Sequence, residues 1–177
     1  MTQLYLKRVR LSFPSLFHTE FFASEDTGKY GCTLILDKTQ HAAAIRQINE
    51  AFDELAKEKF KGKIPPEDKL CLRNGDNGDR PELQGKMTIK ASTKKRPLVI
   101  NRDKTPVTEE DGVIYAGMYV NAIITLWAQL NDWGRRINAS LDGIQAWRSG
   151  EPFGSASVNP DEFSAFGDPP EDDEPAF

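Results

Sequence analysis

The chain has 177 residues, among them 23 Lys and Arg, 27 Asp and Glu, and only two His. No apolar run approaches the roughly 18–20 residues that a membrane-spanning helix needs, which excludes an integral helical membrane protein. The charge is strongly segregated, because all 23 basic residues precede residue 151 while eight acids follow Gly150. A body with an excess of four positive charges is therefore joined to a tail with eight negative charges.

The two cysteines, Cys32 and Cys71, are far apart in the sequence and form no C-x-x-C motif. This spacing favours reduced thiols over a disulfide framework or a zinc site. The first residues show no basic segment followed by an apolar one, as a secretion signal would. We therefore expect a cytoplasmic protein that makes no membrane contact.

The N-terminal third predicts two strands. Residues 4–13 alternate apolar and polar side chains, with an irregularity near Arg8 that indicates a bulge. A second strand is predicted for residues 29–36, and it leads directly towards a helix.

One strong helix follows, because apolar residues recur at helical spacing: Ile45, Ile48, Phe52, Leu55 and Phe60. Asp37 or Thr39 is expected to cap its start, and Gly62 with the following proline pair to end it. Residues 61–84 are rich in Gly, Pro, Asp and Asn and predict a long loop. Its clustered acids, within 73–82, lack the spacing of an EF-hand, so ordinary turn chemistry is favoured over a metal site.

Strands are predicted again at 86–91, 97–100 and along the extended run 115–130, which ends in a turn at 131–134. A returning strand then covers 135–141. Five or six strands with one inserted helix predict a mainly β fold, a Greek-key barrel of the OB-fold type. An open β-sandwich would give a similar pattern.

Positive charge is concentrated between residues 86 and 104, where seven basic residues accompany one acid, Asp103. Flexible cations between two strands can follow a phosphate backbone, although an ordinary solvated loop has the same composition. The candidate phosphate contacts are Lys90, Lys94, Lys95, Arg96 and Arg102.

The long predicted strand carries aromatic residues on one face. Its core face is predicted to hold Met118, Val120, Ala122, Ile124, Leu126 and Ala128. The opposite face presents Tyr115, Tyr119 and Trp127, on which bases could stack unless a helix or loop covers the rings. Arg136, followed by Asn138 and Ser140, is expected beside them. Trp147 and Arg148 add a second stacking and charge pair, or Trp147 closes one end of the barrel.

Catalysis finds little support in the sequence. His18 and His41 are the only histidines, and no phosphate-binding loop, dinucleotide fingerprint or nucleophile elbow occurs. We therefore predict a binding protein with no catalytic residue, metal or cofactor.

The tail, residues 151–177, contains five prolines and ends on Phe177. Its charge and proline content predict disorder, with residues 1–150 as the single folded domain. Either the tail is a solubilising device, or it competes with a polyanion and recruits partners. The candidate partner-binding residues are Asp168, Glu171, Asp172, Asp173, Glu174 and Phe177.

Several segments resemble a family of bacteriophage single-stranded DNA-binding proteins: residues 72–76, 90–97, 115–122 and 143–152. The resemblance covers essentially the whole chain. It implies an OB-fold, sequence-tolerant binding of single-stranded DNA, and an acidic tail with an aromatic end. From it we expect a role in phage DNA replication or recombination in the cytoplasm of a bacterial host. The tail would engage a polymerase, helicase or recombination nuclease, and homo-oligomerisation stays open. The alternatives are a nuclease or annealing enzyme of a phage recombination module, and a structural virion component.

Overall fold

The computed structural model describes residues 1–132 and 134–153, together with residues 165 and 167. The described elements are nine strands and one α-helix: β1 (Thr2–Ser15), β2 (Phe21–Phe22), β3 (Glu25–Asp26), β4 (Tyr30–Asp37), α1 (Ala42–Lys59), β5 (Leu72–Asn74), β6 (Lys86–Thr93), β7 (Leu98–Ile100), β8 (Tyr119–Asn131) and β9 (Gly134–Arg148). Within these parts of the chain, no helix combines the length and apolar character that crossing a membrane requires.

Five strands close into a barrel. β1 pairs antiparallel with β4 and β8, β4 pairs with β6, and β8 pairs with β9. The barrel is closed by a parallel pairing of β6 with β9, in which Ala91 faces Ala139. This strand order is that of an OB-fold, so the predicted mainly β barrel with one helix is confirmed and the open sandwich is excluded. β5 and β7 extend the sheet beside β6 and β9.

The core is built from the inward faces of the barrel strands and one face of α1. On β8 the alternation is the predicted one, with Val120, Ala122, Ile124 and Leu126 buried and the intervening residues half-buried. α1 packs against β1 and β8 and buries Phe52 within its apolar face. The outward faces of the strands are therefore free to carry polar and aromatic residues.

The predicted irregularity in the first strand is confirmed. The pairing of β1 with β8 shifts register between Leu6 and Val9, and Arg8 adopts a positive φ of 56°. The Arg8 backbone N–H donates to Asn121 Oδ1 at 2.9 Å, which satisfies the amide that the bulge removes from the ladder.

The predicted helix cap was wrong. α1 begins after His41, which makes no side-chain capping bond, and neither Asp37 nor Thr39 reaches its first turn. The Asp37 carboxylate instead accepts from the N–H groups of Thr39 and Gln40 and from Lys86 Nζ at 2.5 Å. Asp37 therefore stabilises the turn that precedes the helix and joins the ends of β4 and β6.

Several boundaries also differ from the prediction. The segment 61–84 contains β5, a short strand that pairs with β6, as well as single turns of 3₁₀-helix. β9 continues to Arg148 because its second half pairs with β7 and β8. The hairpin of β2 and β3 was not predicted, since its strands are only two residues long.

The contacts of Asp37 predict how stability depends on pH. The hydrogen bond from Lys86 and those from Gln40 and Thr39 hold the pKa of Asp37 well below its usual range. Its stabilising contribution is therefore complete above the unfolded pKa of about 4 and is lost as the pH falls towards the folded value. We expect Asp37→Asn to lower the urea midpoint at pH 7 and to weaken the fall of that midpoint under acid. An identical pH dependence in both proteins would contradict this assignment.

Candidate nucleic-acid interface

A groove of about 870 Å³ runs across the outer face of the barrel, over β4, β6, β8 and β9 and the segment around β5. Six cationic side chains line it, and the described lining residues include no carboxylate. The six are Lys29, Lys69, Arg73, Lys90, Lys94 and Arg136. The positive charge of the body is thus focused where low-dielectric walls strengthen its attraction for an anion.

The indole ring of Trp127 lies in the same groove. β8 buries its even-numbered residues from Val120 to Leu126, so the neighbouring Trp127 faces outward and is half-buried. In the pairing of β8 with β9, Trp127 is opposite Asn138 and Gln129 is opposite Arg136. Arg136 and Asn138 therefore lie beside Trp127, as expected, whereas Tyr119 is paired with Arg148 at the other end of β8.

The floor of the groove is polar and ordered by internal hydrogen bonds. Asn138 Nδ2 donates to Gln129 Oε1 at 2.7 Å, which leaves the Asn138 carbonyl and the Gln129 amide available to a ligand. Ser92 and Ser140, paired across β6 and β9, add two hydroxyl groups. Amide and hydroxyl groups can donate or accept, so such a floor tolerates different bases.

Of the eleven residues proposed from sequence, the structure brings four into this groove: Lys90, Lys94, Trp127 and Arg136. Lys95 and Arg96 lie in the loop that follows Lys94, where the Arg96 guanidinium is 5.7 Å from the centre of the Phe17 ring. Arg102 and Trp147 are stacked on each other at 3.9 Å beyond β7, outside the groove.

The other three sequence candidates, Tyr115, Tyr119 and Arg148, gather where the barrel meets the tail. The Tyr115 hydroxyl donates to the Gly150 carbonyl at 3.0 Å and accepts from its N–H at 2.9 Å. The Arg148 guanidinium lies 4.7 Å from the centre of the Tyr119 ring. Eight residues of extended strand separate Tyr119 from Trp127, about 26 Å along β8.

Arg10 completes this junction, residues 148–153 with their partners on the barrel, which we term the tail root. Its guanidinium donates to the carbonyls of Gly117 at 3.0 Å and Glu151 at 2.6 Å, and it lies 4.0 Å from the centre of the Phe153 ring. Gly117 and Gly150 pack so closely that a Cβ on Gly150 would stand 2.2 Å from the Gly117 oxygen. The described packing thus continues to Phe153, three residues past the predicted domain boundary.

Three groove cations were missed from the sequence: Lys29, Lys69 and Arg73. Lys69 and Arg73 belong to the segment predicted as a loop, and its pairing with β6 and its bridge from Leu70 to Ile137 of β9 bring them to the barrel face. The sequence signal that could have indicated this strand is the change from apolar Leu72, which is buried, to charged Arg73, which is exposed. The proposed tail residues, Asp168, Glu171, Asp172, Asp173, Glu174 and Phe177, lie outside the described residues.

The groove has the chemistry of a binding surface. Cys71 lies in its wall, and burial raises the pKa of the thiol to about 12, so the sulfur is neutral at pH 7. In the described part of the chain, no three His, Cys, Asp or Glu side chains form a metal-binding group. Lys90 Nζ stands 3.8 Å from the carboxylate of Glu20, a partly exposed ion pair that a phosphate could replace.

A second, apolar depression of about 260 Å³ lies on another part of the barrel, across β1, β7, β8 and β9. Tyr5, Leu98 and Ile123 line it, and Tyr5 is 63% exposed. It shares no lining residue with the cationic groove. Tyr5 is therefore an exposed aromatic residue outside the cationic groove, and its substitution can serve as a control in binding experiments.

Comparison with known proteins identifies the family. Residues 2–175 match the family described as Enterobacter phage Enc34, ssDNA-binding protein. The chain is 32% identical over 165 residues to the p50 protein of Acyrthosiphon pisum secondary endosymbiont phage 1, covering 88% of this chain and 89% of that protein.

Solved structures agree with this match. The single-stranded DNA-binding protein of bacteriophage Enc34, in complex with ssDNA, is 31% identical with a TM-score of 0.78, covering 86% of this chain and 89% of that one. Gp2.5 of bacteriophage T7, a single-stranded DNA-binding protein, is 14% identical with a TM-score of 0.53 over 90% of this chain and 98% of that one, which shows a shared fold alone. This chain therefore belongs to the family of the Enc34 phage ssDNA-binding protein.

Proposed function

We propose that this protein coats single-stranded DNA, without catalysis and with little regard to base sequence, during replication or recombination of phage DNA in the cytoplasm of a bacterial host. The observation that carries the proposal is the groove, which joins six cations to an outward-facing indole on one barrel face. The ssDNA complex of the Enc34 protein supports the choice of ligand.

The cations of the groove supply affinity. Each phosphate that they neutralise releases counterions, so log K falls with log salt by about 0.7 per neutralised phosphate on a single strand. Lys95 and Arg96 extend the groove at the Lys94 end. Arg102, which is stacked on Trp147, would contact a phosphate of a DNA strand that leaves the groove past β9.

Trp127 supplies the preference for single strands. A base stacked on its indole ring contributes about 1–3 kcal/mol, and only an unpaired base offers a free face. The amide and hydroxyl groups of the floor can bond to many base edges, which explains why binding would tolerate sequence. Tyr115, Tyr119 and Arg148 are proposed to hold the tail root instead of contacting DNA, because their polar groups and rings already have partners there.

The tail is proposed to compete with DNA for the groove and, once displaced, to recruit a polymerase, helicase or recombination nuclease. The tail begins close enough to the groove for its acidic residues to reach the groove cations. The tail root lies about 26 Å from Trp127 along β8. A flexible chain of 24 residues, the number that follow Phe153, would have a root-mean-square span of about 25–30 Å. The acidic residues can therefore reach the cations.

The direct test compares a labelled oligo-dT with a duplex of equal length by fluorescence anisotropy. We expect much tighter binding of the single strand, with a steep salt dependence and only a mild dependence on base composition. Equal affinity for both forms would refute the proposal. Incubation with Mg²⁺ should leave both strands intact, whereas turnover would identify a nuclease.

A further inference from the structure

The hairpin of β2 and β3 carries two phenylalanine rings that the barrel does not bury. Phe21 is 68% exposed and Phe22 is 79% exposed. Ala23 and Ser24, the two residues of the turn, both adopt positive φ, as a tight two-residue hairpin requires. Successive residues of a strand point to opposite faces, so the hairpin presents one ring on each side. Neither ring contributes appreciably to the core.

The hairpin rises from one end of the cationic groove. Its stem is closed by hydrogen bonds from the Glu20 N–H to the Lys29 carbonyl at 2.8 Å and from the Thr27 N–H to the Glu20 carbonyl at 2.9 Å. Lys29 lines the groove, and the Glu20 carboxylate reaches the groove cation Lys90. The two rings thus stand a few residues from the rim.

The chain that leads into the hairpin also contacts the basic loop after β6. The Phe17 ring lies beneath the Arg96 guanidinium, which is 5.7 Å from the centre of the ring. The hairpin and the basic loop are therefore held at the same end of the groove, on either side of the β4–β6 pair that joins Tyr30 to Thr93.

The hairpin segment contains three acids, Glu20, Glu25 and Asp26, and two of them, Glu20 and Asp26, face other groups of the protein. The Asp26 carboxylate accepts from the Gly28 N–H at 2.9 Å, and hydrogen bonds from the Thr19 side chain and from Gly28 lower its pKa. The Glu20 carboxylate faces Lys90. The exposed tip thus carries the two aromatic rings beside the Glu25 carboxylate, which is paired with Phe22, and this chemistry suits the uncharged face of a base better than a phosphate.

We propose that Phe21 and Phe22 form a two-sided stacking platform, one ring on each face of the hairpin, for unpaired bases at the end of the groove, so that one DNA strand contacts Trp127 and the hairpin together. The proposal rests on the proposed function of the groove. Stacking on an aromatic side chain contributes about 5- to 150-fold in affinity per base. It carries no charge, so it should not alter the number of counterions released.

The test replaces both rings in the full-length chain, Phe21→Ala with Phe22→Ala, and titrates an oligo-dT of about one site, roughly 12 nucleotides. We expect affinity to fall at least fivefold with an unchanged slope of log K against log salt. Tyr5→Ala is the matched control, because it removes an equally exposed ring from the separate apolar depression, and it should bind as the unmodified protein does. Thermal unfolding of the double variant should be unchanged, since both rings are exposed.

Three results would overturn the proposal. If the unmodified protein binds the oligonucleotide and the double variant binds it equally well, the platform is wrong while the groove stands. If affinity falls only on long strands that hold many copies, the hairpin contacts a neighbouring protein molecule instead of DNA. An equal loss in Tyr5→Ala would show a general effect of exposed rings. If the unmodified protein does not bind the oligonucleotide at all, the result refutes the proposed function itself and not only the stacking platform.

Discussion

Replacing Trp127 by Ala is expected to weaken binding of single-stranded DNA by about 1–3 kcal/mol, or roughly 5- to 150-fold. The reason is that Trp127 is the aromatic ring set within the cationic groove, opposite Asn138 on the neighbouring strand. The slope of log K against log salt should hardly change, because the indole ring neutralises no phosphate. Anisotropy titrations at several salt concentrations measure both quantities.

Two variants make this prediction specific. Trp127→Phe keeps an aromatic face and should recover part of the affinity. Replacing Lys94, Lys95 and Arg96 by Ala should have the complementary effect, a slope that flattens by about 0.7 for each phosphate that is no longer neutralised. Trp127 is half-buried, so thermal unfolding should accompany the titrations. A folded Trp127→Ala protein of undiminished affinity would contradict the stacking role.

Deleting residues 154–177 is expected to raise affinity for single-stranded DNA most at low salt. The deletion removes seven carboxylates that would otherwise compete for the groove cations. A tethered competitor acts at a millimolar-scale effective concentration, so a tail with a dissociation constant of about 0.1 mM for the groove would give a gain of about tenfold. The gain should shrink as the Debye length falls to about 10 Å at 0.1 M salt.

The position of the cut matters for this experiment. Removal of residues 151–177 would also take away the Glu151 carbonyl and the Phe153 ring, and leave the Arg10 guanidinium without two of its partners. A cut after Phe153 preserves the tail root, so that any change in affinity reports the competitor and not the packing of the barrel.

A second variant separates competition from recruitment. Phe177→Ala retains every carboxylate, so it should show little of the electrostatic gain but should impair capture of a polymerase, helicase or nuclease partner. Unchanged affinity at low salt after deletion of 154–177 would reduce the tail to a solubilising device.

The barrel was predictable from sequence because its main strands carry clear alternation. Val120, Ala122 and Ile124 indicate the buried face of β8 without any tertiary information. The failures arise where long-range pairing decides the structure. β5 is three residues long and is stabilised by β6, and the second half of β9 is extended because β7 adds to its edge. Asp37 was assigned as a helix cap since sequence spacing alone cannot show that Lys86 lies beside it.

The candidate site was predictable in part for the same reason. Trp127 and Arg136 follow from the alternation of a hairpin whose turn is evident in the sequence. Tyr119 lies on the same face of β8 as Trp127, yet the length of the strand carries it to the tail root, where Arg10 and Arg148 flank its ring. A periodic pattern identifies the face of a strand, but it does not distinguish the positions along that face which share a ligand.

The close packing of Gly117 against Gly150 has a consequence for how the tail can vary. It fixes the origin of the tether on the barrel, so variation in tail length changes only the probability that the acids meet the groove. Doubling a flexible tether lowers that probability about threefold, a cost near 0.6 kcal/mol. Insertions after Phe153 should therefore be tolerated, whereas a tether much shorter than about eight extended residues could not cover the 26 Å to Trp127. Selection would then set only a minimum length for this segment. In tails longer than this minimum, the amino-acid sequence could vary freely as long as the negative charge is kept.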